Sequence, residues 1–199
     1  MAKTLIYTIG HSTQPFERFL ELLKAHGVEK VVDVRTVPGS RRAPHFNREH
    51  LTKALAGAGI GYLHLKGLGG WRKPRNDSVN TAWQNDSFRG FADYMQTEEF
   101  EQSLQELIAL AKEERVAIMC AEAVPWRCHR SLIADALTVR GIEVKHISSR
   151  ERANPHEITE FAIVKGRTVT YPAICLSADL SAIALATADR AGRSPAGGG

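Results

Sequence analysis

Short apolar, β-branched runs alternate with amphipathic stretches along most of the chain. "TLIYTIG" (Thr4 to Gly10) reads as a first strand. In the next stretch Phe16, Phe19, Leu20 and Leu23 share one helical face. Thr13 is the expected cap there, Pro15 fits the first turn and Gly27 ends the helix. "KVVDVR" (Lys30 to Arg35) is a second strand. Asn47 is expected to cap a helix bearing Leu51, Ala54, Leu55 and Ala58, and "GYLHL" (Gly61 to Leu65) is a third strand. Helical patterns resume at Phe88–Met95 and Glu98–Ala111 after a long glycine-, arginine- and tryptophan-rich connection from Lys66 to Asn85. "VAIM" is the fourth strand, "HRSLIADALTVRG" the helix after it, and "VKHI" (Val144 to Ile147) the fifth strand. "EFAIVKGRTVTYP" predicts a hairpin turning at Lys165–Gly166, and "LSADLSAIALATADRA" a last helix.

This alternation predicts an α/β fold: a single three-layer domain with a mainly parallel sheet of about five strands. The domain is assigned to residues 1–170. Residues 171–199 form a C-terminal extension whose end, "AGRSPAGGG", reads as disordered. In such a fold the loops leaving the strand C-termini build the ligand crevice.

Composition narrows the setting. The 199 residues carry 26 Lys and Arg against 22 Asp and Glu, a net charge of +4. That permits an anionic ligand or a nucleic acid without demanding either. Three cysteines do not make a disulfide framework, so a reducing cytoplasm is the expected compartment. No run approaches the ~18 apolar residues of a membrane span, so no membrane partner is expected.

The polar and unusual residues fall after the strands: His11 and Ser12, Asp33 and Arg35, Gly69, Gly70 and Trp71, and then Cys120, Glu122, Trp126, Arg127 and Cys128. In "VAIMCAEAVPWRCHRSLIADALTVRG", Cys120 ends a strand and Cys128 begins a helix. Loop amides and a helix dipole at such a place stabilise an anion and lower a thiol pKa. Phosphatases and sulfurtransferases use this order of parts. Here, however, Arg127 comes one position later than in the familiar phosphatase loop, Glu122 would repel a dianion, and Pro125 removes an amide donor. Cys120 and Cys128 could form a redox pair, though their separation is longer than CxxC. Either could equally be an inert buried residue. Cys175 has no role in this reading, and His45, His50, His64 and His156 read as surface or turn residues. A metal held by Cys120, Cys128, His129 and His11 is not expected. Adjacent Cys128 and His129 would leave a helix in different directions.

"YTIGHS", "VVDVR", "GIGYLHLKGLGG", "CAEAVPWRCHRSLIA" and "GIEVKHI", in that order, resemble the family called domain of unknown function 488. The resemblance covers about residues 4 to 150. It implies a compact α/β fold and a cytosolic bacterial or archaeal protein, and no settled activity. It rests on Gly10-His11-Ser12, Asp33 and Arg35, Leu68-Gly69-Gly70, Cys120-Ala121-Glu122 and Cys128-His129-Arg130.

Two functions are expected from different classes. One is a cysteine-dependent enzyme acting on a small or nucleotide-like anionic substrate. Cys120 or Cys128 would be its nucleophile, His11 its acid or base, and Asp33 the group orienting His11 or Arg35. Arg35 and Arg127 would clamp the anion, assisted by Arg130, and Glu122, Gly69, Gly70, Trp71 and Trp126 would line the site. No cofactor is named. The alternative is a nucleic-acid-binding module. Arg41, Arg42, Lys66, Arg72, Lys73 and Arg75 would contact phosphates there, and Trp71 or Trp83 would stack on a base.

Overall fold

The computed structural model describes residues 4–173. Cys175, the helix read at 176–191 and the tail at 191–199 lie outside them. Eight strands and five α-helices follow in chain order among the described residues: β1 (Leu5–Gly10), α1 (Phe16–Ala25), β2 (Lys30–Asp33), α2 (Arg48–Gly57), β3 (Gly61–His64), α3 (Asp86–Tyr94), α4 (Glu98–Glu113), β4 (Val116–Cys120), α5 (Arg130–Thr138), β5 (Glu143–Ile147), β6 (Ala153–Pro155), β7 (Ile163–Lys165) and β8 (Thr168–Thr170). The main sheet has the order β3-β2-β4-β1-β5-β6. Its first five strands in that order run parallel, and β6 is antiparallel to β5. The sheet is therefore mainly parallel with a helical layer on each face, and has one strand more than expected. Strands β7 and β8 make the expected hairpin, with the left-handed Gly166 opening its turn.

Strand alternation divides the core in two. Val116, Ile118 and Cys120 of β4 join Ile6, Val32 and Val34 against α3, α4 and α5. Ala117 and Met119 join Ile9 and Val31 against α1 and α2. Side chains on successive strand residues point to opposite faces. Even positions on β1, β2 and β4 thus face α5, and odd positions on them face α1 and α2.

The expected caps behave differently. Helix α1 begins after Pro15 without a side-chain cap, so Thr13 does not cap it. Asn47 precedes α2, but its Oδ1 accepts from the Ser40 amide at 2.6 Å and pins the preceding loop instead. Tyr171, the first residue of the expected extension, is fully buried. Its hydroxyl donates to Asp135 Oδ2 at 2.7 Å. The long 66–85 connection is pinned too. Asp93 of α3 accepts from the Arg75 amide (2.8 Å), Ser78 Oγ (2.6 Å) and Asn80 Nδ2 (2.8 Å).

Candidate active site

Strand parity brings Cys120 to the α5 face. Cys128 is not in the helix. It is extended, with φ −140° and ψ 143°, closing a short 3-10 turn (Pro125–Arg127). His129 follows in helical conformation and opens α5. This change of backbone conformation turns the two side chains toward each other. His129 Nδ1 lies 3.7 Å from Cys128 Sγ and 3.9 Å from Cys120 Sγ. The two sulfurs and one imidazole nitrogen all sit within 4.8 Å of one another. The reason for expecting no shared ion, divergence of neighbours on a helix, does not hold.

His129 is oriented from behind. Its Nε2 donates to the Val34 carbonyl at 3.0 Å, which leaves Nδ1 with its lone pair toward the sulfurs. Its ring meets Phe91 edge-on at 5.0 Å. A Cβ on Gly70 would come within 2.5 Å of Nδ1, so only glycine admits the ring at this place. Gly69 is held somewhat less closely, a Cβ there coming 2.9 Å from Thr36 Oγ1 and 3.0 Å from the Lys66 carbonyl oxygen.

Arg130 is 1% exposed and supports the sulfur from the other side. Its Nε donates to Cys128 Sγ at 3.4 Å, and its terminal nitrogens donate to Thr8 Oγ1 (3.3 Å) and the Glu122 carbonyl (2.6 Å). The brace on the loop carbonyls is thus Arg130, while Arg127 is exposed. Burial opposes ionisation of Cys128. The Cys120 thiol, His129 and Arg130 outweigh it and hold Cys128 well below the usual thiol range. The Cys120 thiol is pushed well up by its hydrogen bond with Cys128 and by burial. Of the two thiols, Cys128 is the one whose ionisation is favoured.

Cys120, Cys128 and His129 line a cleft of about 360 Å³ together with Arg35, Thr36, Gly70, Trp71, Glu122 and Arg127. Trp126 lies on the other side of the loop. It lines a larger cleft of about 1130 Å³ with Gly10, Ser12, Trp83, His146 and Phe161. The loop from Ala121 to Arg127 is the wall between the two.

His11, Asp33 and Arg35 occupy odd positions, and their polar groups gather toward α1 and α2. Asp33 accepts from Arg35 Nε (2.9 Å), from Arg35 Nη2 (2.6 Å) and from the Tyr62 hydroxyl (2.8 Å). Arg35 also donates to the Phe46 carbonyl (2.8 Å) and to His11 Nε2 (3.2 Å). His11 Nδ1 donates to the Ser12 carbonyl at 2.8 Å, and the ring stacks on Phe46 at 4.3 Å. Both ring nitrogens are engaged. Burial, opposed by the Ser12 bond and assisted by Arg35, lowers the His11 pKa to about 4. No ring nitrogen is open for proton transfer, and of these three residues only Arg35 reaches the thiol cleft.

The chain segment 15–137 matches the family model described as Domain of unknown function DUF488. The chain belongs to this family. No curated protein and no solved structure matches it. The DUF488 segment contains Asp33, Arg35, Gly70, both site cysteines, His129 and Arg130. It stops short of His11 on one side and of β5 on the other.

A polar chain that the sequence reading missed reaches past the family segment at both ends. Thr8 Oγ1 meets His146 Nδ1 at 2.7 Å, His146 Nε2 meets His156 Nδ1 at 2.9 Å, and His156 Nε2 meets Asp135 Oδ1 at 2.8 Å. His156 is therefore not a surface residue; its side chain is 5% exposed. The partners lie in β1, β5, α5 and the segment after β6, so no local pattern announces them.

The basic loop residues are partly committed. Arg72 lies over the Tyr94 ring at 4.0 Å, and Arg75 pairs with Asp77 at 2.8 Å. Trp83 stacks on Phe88 at 4.7 Å and meets Phe161 and Tyr171 edge-on. Trp71 is 73% exposed. Among the described residues no helix is long and apolar enough to cross a membrane.

Proposed function

We propose that the chain is a cysteine-dependent enzyme acting on a small or nucleotide-like anion in the 360 Å³ cleft. One observation carries this: two thiols and an imidazole lone pair meet on a cleft wall, with the other imidazole nitrogen pinned to a carbonyl. Cys128 is the nucleophile. Its proton passes to His129 Nδ1, and the Arg130 Nε–H steadies the sulfur anion. The thiolate attacks an electrophilic centre of the substrate, and the leaving group departs with its electron pair. Cys120 is the partner thiol. Arg127 attracts the anion from the cleft wall, and Trp71 offers a flat apolar face beside it. Two free thiols this close suit a reducing, cytoplasmic setting.

The test is site-mapped alkylation by iodoacetamide across pH. Cys128 is expected to react below pH ~7.5 and Cys120 only well above it. If neither thiol reacts below that pH, the nucleophile is lost. The alternative, a nucleic-acid-binding module, draws support from exposed Trp71 next to exposed Lys73. It requires salt-sensitive binding of short single-stranded RNA or DNA.

A further inference from the structure

We propose that Cys120, Cys128 and His129 also form a binding site for one zinc ion, and that zinc there silences the Cys128 thiol. The distances argue for it. With Zn–S near ~2.3 Å and Zn–N near ~2.0 Å, tetrahedral ligation separates a sulfur and a nitrogen donor by about 3.5 Å. His129 Nδ1 stands 3.7 and 3.9 Å from the two sulfurs, so both nitrogen–sulfur spacings lie within a few tenths of an ångström of that value, and all three donor atoms lie within 4.8 Å of one another.

The support around the donors has the same character. A zinc-bound histidine characteristically donates its other ring N–H to a carbonyl or carboxylate, which fixes the tautomer. His129 Nε2 does this to Val34. Arg130 Nε donates to Cys128 Sγ, as a donor does to a metal-bound thiolate. Two thiolates and one imidazole favour zinc over the oxygen-seeking magnesium and calcium, and the two thiolates neutralise the ion's charge. Three protein ligands leave a fourth position. All three donors line the cleft, so that position opens where the substrate is proposed to bind.

Binding stands on this geometry alone. The silencing rests on the nucleophile reading above, because a sulfur whose lone pair is committed to zinc no longer attacks carbon. On metal binding each thiol loses its proton to solvent, and no electrons are transferred.

The experiment uses the full chain, stripped with a chelator and then titrated with Co²⁺ as a spectroscopic stand-in. A thiolate-to-cobalt charge-transfer band with tetrahedral visible bands is expected, saturating at one equivalent and erased by one equivalent of Zn²⁺. Absence of the thiolate band overturns the site, whatever the variants do. Cys120→Ser and His129→Gln should each weaken zinc binding by more than the ~10–100-fold that loss of a supporting hydrogen bond costs. His50→Gln, in an exposed histidine of α2, should leave it unchanged. Equal weakening by His50→Gln assigns the ion to the surface and overturns the proposal.

Iodoacetamide labelling separates the two ideas. Cys128 labelled in chelator, blocked by one equivalent of zinc and restored by chelator, supports the switch. Labelling that continues with zinc bound overturns it. No labelling in chelator, with the cobalt band present, removes the nucleophile and keeps the metal site. Normal labelling without a cobalt band does the reverse.

Discussion

Two buried polar clusters sit on opposite faces of one sheet. On the α1–α2 face, Asp33, Arg35, Tyr62 and His11 satisfy one another, with the Phe46 and Ser12 carbonyls taking further hydrogens. On the α3–α5 face, two sulfurs meet one imidazole lone pair and a single Arg130 Nε–H. The difference follows from what each group costs to bury. A carboxylate and a guanidinium are tolerated in a core only when paired and hydrogen-bonded. A thiol is a weak donor and acceptor and can be buried with valence to spare. The first cluster spends its bonding on holding β2, β3 and the loop after β2 together. The second retains bonding capacity at a cleft, and the proposed function rests on that capacity.

The largest effect that could break this contrast is at Arg35. Arg35→Met leaves the Asp33 carboxylate fully buried beside Tyr62 without its cation. Loss of about 3–5 kcal/mol is expected, read by urea unfolding. A variant as stable as the parent but with an inert Cys128 would mean that the two clusters have exchanged roles.

A graded effect comes from pH. His11 and His146 both have pKa values lowered to about 4 from 6.5, in each case chiefly by burial. The unfolded chain therefore takes up protons as pH falls below ~6.5, while the native chain holds these rings neutral until about 4. Their contribution is full above that window, is lost progressively as pH falls through it, and changes no further below it. Urea midpoints should drop between pH 6.5 and 4.5, with a shallower drop in His146→Asn. Midpoints that rise over this interval would contradict the buried neutral rings.

Much of this frame was legible in the sequence. The strands are short β-branched runs, and β1 to β5 begin and end within about two residues of where the pattern puts them. The hairpin announced itself through Gly166. β6 did not, because Ala153–Pro155 is three residues with no alternation and ends in proline. The candidate site was half legible. Cys120 and Cys128 were singled out by the loop between them. The same strand period that places Cys120 toward α5 places Asp33 and Arg35 toward α1 and α2, so parity separates groups that a shared strand-end location had joined. His129 was undervalued because the helix was taken to start too early. The His146–His156–Asp135 chain joins distant segments and leaves no local trace.

A smaller effect sharpens the contrast at Gly70. The added methyl of Gly70→Ala would press on the His129 ring rather than on backbone. Overpacking of this kind costs about 1–3 kcal/mol, and the ring can yield part of it by turning away from the sulfurs. Alkylation of Cys128 at neutral pH should slow more than the stability loss alone explains. Equal reactivity in a folded Gly70→Ala variant would remove His129 from the thiol's activation.

The smallest effect on folding is expected at Arg127, and it bears most directly on the anion. The residue is exposed, and surface substitutions of this kind usually fall within ~0.5 kcal/mol. Its proposed contribution is electrostatic, so a charged and a neutral reagent should report it differently. Iodoacetate and iodoacetamide alkylate the same sulfur, but only the first is an anion. Arg127→Ala should lower the iodoacetate rate on Cys128 several-fold and leave the iodoacetamide rate nearly unchanged. Glu122→Gln, on the same loop, should raise the iodoacetate rate, since it removes the charge that opposes an anion. Both shifts should shrink between ~0.1 and ~1 M salt, where the screening length falls from about 10 to about 3 Å. A loss shared equally by both reagents would make Arg127 a loop-positioning residue. No change with either reagent would leave the cleft without its anion contact, and the substrate class would then have to be sought among neutral molecules.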